Sequence, residues 1–217
     1  MEDIYQNISF KTQGRYAVSG ELSASTKSIL FVFHGQGQLS KFFIQKFKAL
    51  TNQGFTIIAP EGLHNYYLEG IAGRVGASWM TSENRLVAIA NYISFLNNVL
   101  RDVKRKASPS VKLHLLGFSQ GTATVSRWVE QSNFNFEQLI LWGGTLPPDL
   151  NKELISERVK SKKIIHYIGN KDPYIDNSKV GLLMLLAKNY GIDSEYKMYE
   201  GGHDIEENTL LSIFNHD

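Results

Sequence analysis

The chain has 217 residues, 42% of them hydrophobic, with 23 basic and 21 acidic side chains and a net charge of +2. That length suits one α/β domain with a full core, and the charge balance excludes the strongly basic footprint of a nucleic-acid binder. There is no cysteine, which excludes a disulfide framework, a thiolate nucleophile and thiolate metal ligands.

The start, Met1-Glu2-Asp3-Ile4-Tyr5-Gln6-Asn7, lacks the basic end and apolar stretch of a signal peptide. No apolar run approaches the ~18 residues of a membrane span. The expectation is a soluble, cytoplasmic protein, one domain over residues 1–217, with no stable membrane insertion. Residues 4–21 alternate loosely around Gly14 and Gly20 and predict an antiparallel hairpin at a sheet edge. Ser28-Ile29-Leu30-Phe31-Val32-Phe33 predicts a strand covered on both faces. It opens into His34-Gly35-Gln36-Gly37-Gln38. A helix is expected from Ser40, with Phe43, Phe47 and Leu50 on one face and Gly54 at its end. Phe55 to Ala59 is the next strand, stopped by Pro60.

Residues 61–80 show no clear period and are rich in glycine, so a long functional loop is expected there. Thr81 or Ser82 would cap a long helix whose stripe is Leu86, Ile89, Ile93, Leu96, Leu100 and Val103. Its basic tail, Arg101 to Lys106, suits the negative end of a helix macrodipole. Leu113-His114-Leu115-Leu116-Gly117-Phe118-Ser119-Gln120-Gly121 is an apolar run that ends in Gly-x-Ser-x-Gly and passes into a helical pattern to about Gln131. This is the sequence of a nucleophile elbow, a strand, a strained serine turn and a helix. The glycines keep Cβ atoms out of the strand–helix crossing. The Gln120 N–H would point at a developing oxyanion. Strands follow at Gln138 to Trp142, Lys163 to Ile168 and Glu195 to Tyr199. Helical patterns occupy residues 149–162, 177–190 (Val180, Leu183, Met184 and Ala187 on one face) and 206–214. Strands alternating with helices predict a three-layer α/β/α sandwich around a mostly parallel sheet.

Active sites in such sheets form at the carboxyl ends of strands. Four strand ends carry polar groups: His34 to Gly37, Ser119, Gly169-Asn170-Lys171-Asp172, and Gly201-Gly202-His203-Asp204. Serine, acid and histidine therefore occur in the chain order of an α/β-hydrolase triad.

The chain resembles the α/β-hydrolase superfamily and, within it, the phospholipase/carboxylesterase group that includes acyl-protein thioesterases. The resemblance rests on His34-Gly35-Gln36-Gly37, Ala59-Pro60-Glu61-Gly62, Trp79, Gly117-Phe118-Ser119-Gln120-Gly121, Gly169 to Asp172, and Gly202-His203. The chain departs from the group at three positions. Gln38 stands where Asp is usual, Thr122 where a second Gly is usual, and Leu141-Trp142-Gly143 where Leu-Ser-Gly is common. The resemblance implies an α/β-hydrolase fold and a serine hydrolase of carboxylic or thio esters. Ser119 would be the nucleophile, His203 the general base and acid, and Asp172 the acid that orients it. The backbone N–H groups of Gln36 and Gln120 would form the oxyanion hole. Asp176 and Asp204 are alternative acids. Asp204 reads as a solvated neighbour and Asp176 as a helix cap.

The remaining histidines carry less. His114 and His166 sit inside strands, and His64 and His216 lie in the long loop and the tail. No pair has metal-ligand spacing, so no metal and no cofactor are expected. Gly35-x-Gly37 falls short of a dinucleotide fingerprint because Ser40 occupies the third glycine position. A different class, a non-catalytic small-molecule receptor on the same fold, has no need of all three triad residues. The expected partner is a small-molecule ester. Residues 143–162 leave room for one helix and its turns, so no lid domain is expected. The 61–80 loop would instead wall the acyl pocket, with Trp79 and Trp142 limiting its depth to short or medium acyl groups.

Overall fold

The computed structural model describes residues 6–175 and 177–214. Its strands are β1 Tyr16–Ser19, β2 Ser28–Phe33, β3 Phe55–Pro60, β4 His64–Tyr67, β5 Val75–Ser78, β6 Lys112–Phe118, β7 Gln138–Trp142, β8 Lys163–Gly169 and β9 Glu195–Tyr199. Its α-helices are α1 Ser40–Phe43, α2 Lys48–Thr51, α3 Arg85–Lys106, α4 Gln120–Gln131, α5 Lys152–Val159, α6 Asn177–Asn189 and α7 Glu207–Phe214. Seven strands form one sheet in the order β1-β3-β2-β6-β7-β8-β9. β1 runs antiparallel to β3, and every other pairing in that sheet is parallel.

The inner strands are runs of mostly apolar, buried residues because helices cover both faces. Alternate residues of one strand enter different cores. Ile29, Phe31 and Phe33 of β2 pack with the buried stripes of α3 and α4. Leu30 and Val32 pack on the opposite side with Phe43, Phe47 and Leu50 and with Leu210 and Phe214 of α7. The result is the expected α/β/α sandwich, with the loops that follow β2, β6, β8 and β9 gathered at one end.

Several expectations need correction. The N-terminal hairpin is absent from the described residues, since residues 6–15 form no strand and β1 pairs with β3 instead. Ile8 and Phe10 there are exposed, so no core face holds a second strand. The helix from Ser40 is broken into α1, a 3₁₀ turn over Ile44–Phe47, and α2, yet its three predicted core residues are all buried. α3 begins at Arg85 behind Asn84, whose φ is 47°, so neither Thr81 nor Ser82 is its cap. Leu86 is 73% exposed and lies off the stripe, as does half-exposed Met184 on α6. Asp176 and His216 lie outside the described residues.

The larger correction concerns residues 61–80. They are not a loop without regular structure but hold an antiparallel hairpin, β4 and β5, which forms a separate sheet. His64 lies opposite Ser78, and Tyr67 opposite Val75. All four residues of β4 are exposed, so the alternation that signals a half-buried strand is missing.

Candidate active site

β6 delivers Ser119 into a turn with φ 53° and ψ −119°. A non-glycine residue at positive φ is strained and persists only where its surroundings hold it. Here the Ser119 N–H donates to the Trp142 carbonyl at 2.9 Å, and the Ser119 carbonyl accepts from the Thr122 N–H at 3.0 Å. Thr122 Oγ1 adds contacts of 2.7 Å to that carbonyl and 3.0 Å to the Thr145 carbonyl. Thr122, a departure from the resembled pattern, thus braces the elbow. The flanking glycines are required by contact. A Cβ on Gly117 would lie 2.5 Å from the Gly121 carbonyl oxygen, and one on Gly121 would overlap the Phe33 carbonyl oxygen.

The acid and the histidine are brought together by neighbouring strands. β8 ends in a turn closed by the Asp172 N–H on the Gly169 carbonyl at 3.1 Å. A Cβ on Gly169 would overlap the Gly201 carbonyl oxygen, so glycine lets this turn approach the one after β9. His203 Nδ1 donates to Asp172 Oδ2 at 2.7 Å, and Asp172 Oδ1 accepts the Tyr174 N–H at 2.8 Å. The Asp172 side chain is fully buried, whereas that of His203 keeps 18% exposure. Phe118 and Tyr174 flank the imidazole, with ring centroids 4.9 and 4.7 Å away. Asp204 faces elsewhere, pairing with Lys46 Nζ at 2.7 Å, so Asp172 alone of the two meets the imidazole.

The turn after β2 completes the site. His34 is buried. Its Nε2 accepts the Gly62 N–H at 2.9 Å, and its Nδ1 contacts the Gly35 carbonyl at 2.7 Å. One ring nitrogen accepts and the other donates, which is the neutral tautomer, and burial lowers the imidazole pKa in the same sense. Gln38 Oε1 accepts the Gly35 N–H at 2.8 Å, and the Gly37 N–H donates to Ala77 of β5 at 2.8 Å. The turn is therefore tied to itself by a side chain and to the hairpin by the backbone. Gln120 also reaches the hairpin: its Oε1 accepts the Trp79 N–H at 3.1 Å and its Nε2 donates to the Met80 carbonyl at 2.9 Å. Gln120 opens α4, where backbone N–H groups lack intrahelical acceptors. The side-chain roles of Gln38, Gln120 and Thr122 were not anticipated. The available signal was polar residues placed beside glycine turns.

Ser119, His203, Gln36 and Gln120 line one cavity of about 850 Å³, together with Tyr66, Leu68, Ala123, Tyr174, Leu182 and Leu183. Asp172 stands behind His203. Trp79 and Trp142 do not line it, which corrects their expected place in the pocket wall. Trp79 is fully buried, stacks on His34 at 5.0 Å and donates its Nε1–H to the His34 carbonyl at 2.9 Å. Trp142 faces the opposite core, where its Nε1–H meets Tyr199 Oη at 3.0 Å and the Asp204 carbonyl at 2.9 Å. Both indoles carry a polar N–H that needs a buried acceptor, and each finds one under the site rather than in it. Trp142 thereby anchors the segment that carries His203.

A family model described as phospholipase/carboxylesterase matches residues 16–216. Among solved structures, esterase PE8 superposes with a TM-score of 0.68 at 17% identity, covering 93% of this chain and 96% of its own. Acyl-protein thioesterase 2 of Zea mays gives 0.67 at 16% identity, again covering 93% and 96%. A phospholipase/carboxylesterase of Dyadobacter fermentans gives 0.65 at 16% identity, covering 97% and 99%. No curated protein matches the chain by sequence. At these identities the superpositions establish a shared α/β-hydrolase-like fold, and the match over residues 16–216 establishes that the chain belongs to the phospholipase/carboxylesterase family of hydrolases.

Proposed function

We propose that this protein is a serine esterase that hydrolyses carboxylic or thio esters of small molecules through an acyl-enzyme on Ser119. The observation that supports it most is the placement of Ser119 and His203 on one cavity, with Asp172 at 2.7 Å from His203 Nδ1. The names of the similar structures, an esterase and an acyl-protein thioesterase, support the same range of bonds.

In this reading Ser119 Oγ attacks the carbonyl carbon while its proton passes to His203 Nε2. The carbonyl electron pair moves onto oxygen, which the Gln36 and Gln120 N–H groups receive, at ~3–4 kcal/mol per donor. Asp172 holds Nδ1–H and so keeps Nε2 free of a proton at the start. The tetrahedral adduct collapses, the C–O or C–S bond breaks, and the proton on Nε2 goes to the leaving alkoxide or thiolate. Water then attacks the acyl-enzyme carbonyl, giving up its proton to Nε2; as the bond from the acyl carbon to Ser119 Oγ breaks, that proton passes to Oγ and the carboxylic acid is released. Short to medium acyl groups would lie against Ala123, Leu182 and Leu183, which replace the two indoles as the pocket wall. Among the described residues no helix is long and apolar enough to cross a membrane, and a chain without cysteine suits the cytoplasm.

The test is Ser119→Ala assayed on p-nitrophenyl esters of graded length, with folding checked by circular dichroism. The expected loss in kcat is about 10⁴-fold or more. Activity within tenfold of the wild type contradicts the assignment.

A further inference from the structure

The turn after β2 has a second cavity on its other side. It measures about 650 Å³ and shares Gly37, Gln38 and Leu68 with the cavity at Ser119. Leu39, Phe42, Phe43 and Val75 supply apolar lining, and Lys41, Lys46 and Arg74 supply three cations. No Asp or Glu among the described residues lines either cavity. The chain as a whole carries 21 acidic against 23 basic residues, so this imbalance is local. Glu69, next to Leu68, lines neither cavity.

The cations differ in what they touch. Lys46 is engaged by Asp204 at 2.7 Å. Lys41 lies over the Phe42 ring at 4.8 Å, and neither Lys41 nor Arg74 pairs with a carboxylate among the described residues. Arg74 is not on a loose tip. The Leu68 N–H donates to the Arg74 carbonyl at 2.8 Å, extending the β4–β5 ladder past the Tyr67–Val75 pair. That bond holds Arg74 across from Leu68, the side chain that divides the two cavities. Phe42 is 66% exposed at the same place. An uncovered aromatic beside unpaired cations matches a ligand with an apolar chain and an anionic end.

We propose that this second cavity is a subsite for an anionic group, a carboxylate or a phosphate monoester, carried on an apolar chain of the ester whose carbonyl sits at Ser119. The inference rests on the esterase reading above and narrows its substrate class to amphiphilic esters with an anionic end. The chain lies on Phe42 and Val75, and the anion meets Lys41 and Arg74. Leu68 is the sill over which the chain passes.

The test has a kinetic arm and a binding arm, each run on the wild type and on the double variant Lys41→Gln/Arg74→Gln. The kinetic arm compares matched esters in both orientations: mono-p-nitrophenyl suberate against p-nitrophenyl octanoate, and 8-acetoxyoctanoate against octyl acetate. In at least one pair the anionic ester is expected to show the higher kcat/KM. The double variant should lower that value about tenfold and leave the neutral ester within twofold, and added salt should erode the preference in the wild type. The binding arm uses calorimetry with octanoate, octyl phosphate and octanol on Ser119→Ala, so it does not pass through catalysis. The two anions are expected to bind more tightly than the alcohol, and the tighter of them names the headgroup. If neither anion outbinds octanol, or if the double variant shifts all three ligands alike, the subsite is refuted even where esters are hydrolysed. Selective anion binding in a protein that hydrolyses no ester would keep the subsite and overturn the esterase reading.

Discussion

The elbow and the β4–β5 hairpin meet at the same site but are held in place by different means. Gly117 and Gly121 of the elbow are buried, and backbone contact enforces both, so that a Cβ at Gly121 would overlap the Phe33 carbonyl. The hairpin lies outside the main sheet. It exposes all of β4, and Gly70 and Gly73 in its bend have open space around them. In the proposed reaction the elbow supplies the nucleophile, whereas Ala77 of the hairpin and Trp79 and Met80 just after it are partners for the turn after β2 and for Gln120. The proposed chemistry therefore depends on a buried element and on a hairpin whose outer strand and bend are lightly packed and whose inner strand, with Gly76 against the Gly37 carbonyl, braces the turn after β2.

The contrast predicts a graded set of responses. The largest should come from the buried acid. Asp172→Asn removes the carboxylate that holds His203 Nδ1, and kcat is expected to fall by about 10⁴-fold, while Asp204→Asn stays within threefold. Steady-state kinetics on p-nitrophenyl acetate reads both. An equal loss at the two positions would assign the orienting role wrongly.

Glycine substitutions separate the two regions by stability. Gly121→Ala should cost roughly 4 kcal/mol or prevent folding, because strand backbone must move. Gly73→Ala, at φ 99° but in open space, should cost only about 1 kcal/mol. Urea denaturation measures both, and comparable midpoints would erase the distinction between enforced and permitted turns.

The next effect belongs to the core alone. His166 is buried, neither ring nitrogen has a hydrogen-bond partner among the described residues, and it stacks on Tyr196 at 4.4 Å. Burial lowers its pKa to about 4 from the usual 6.5. The unfolded chain therefore takes up a proton between those values and the folded chain does not. Stability should fall as pH drops from about 6.5 towards 4, by roughly 3 kcal/mol in all, with no contribution above that window. His166→Leu should flatten this part of the stability–pH curve. An unchanged acid limb would show that the ring is not held neutral.

The smallest effect should fall on rate with stability spared. Gln38→Ala removes the acceptor of the Gly35 N–H and loosens the oxyanion turn. On p-nitrophenyl acetate, which is too short to reach the second cavity, it should lower kcat by roughly 10–100-fold with a smaller change in KM and little change in Tm. A loss confined to KM would make Gln38 a substrate contact instead.

The same contrast explains what was legible in the sequence. β2, β3, β6, β7 and β8 are read as apolar runs because both faces of each are covered. Ser119, Asp172 and His203 of the candidate site are read as neighbours because in such sheets the strand ends gather at one place. The hairpin was not legible, since His64-Asn65-Tyr66-Tyr67 buries no face and leaves no period to detect. Trp79 and Trp142 were located correctly beside strand ends, but in a sheet covered on both sides a buried position does not say which core a side chain enters. Their partners, the His34 carbonyl and Tyr199, lie far away in the chain. The braces Gln38, Gln120 and Thr122 stood in plain sight, yet a glutamine or threonine beside a glycine turn becomes a brace only once the hairpin is known to be within reach.

The central claim is that Ser119 is the nucleophile of a formed site, activated by His203. Intact-mass measurement after treatment with a fluorophosphonate tests it most directly. The account predicts one adduct per chain on Ser119, none on Ser119→Ala, and labelling slowed by orders of magnitude in His203→Ala. An unlabelled wild-type protein, or an adduct that survives in Ser119→Ala, would contradict it.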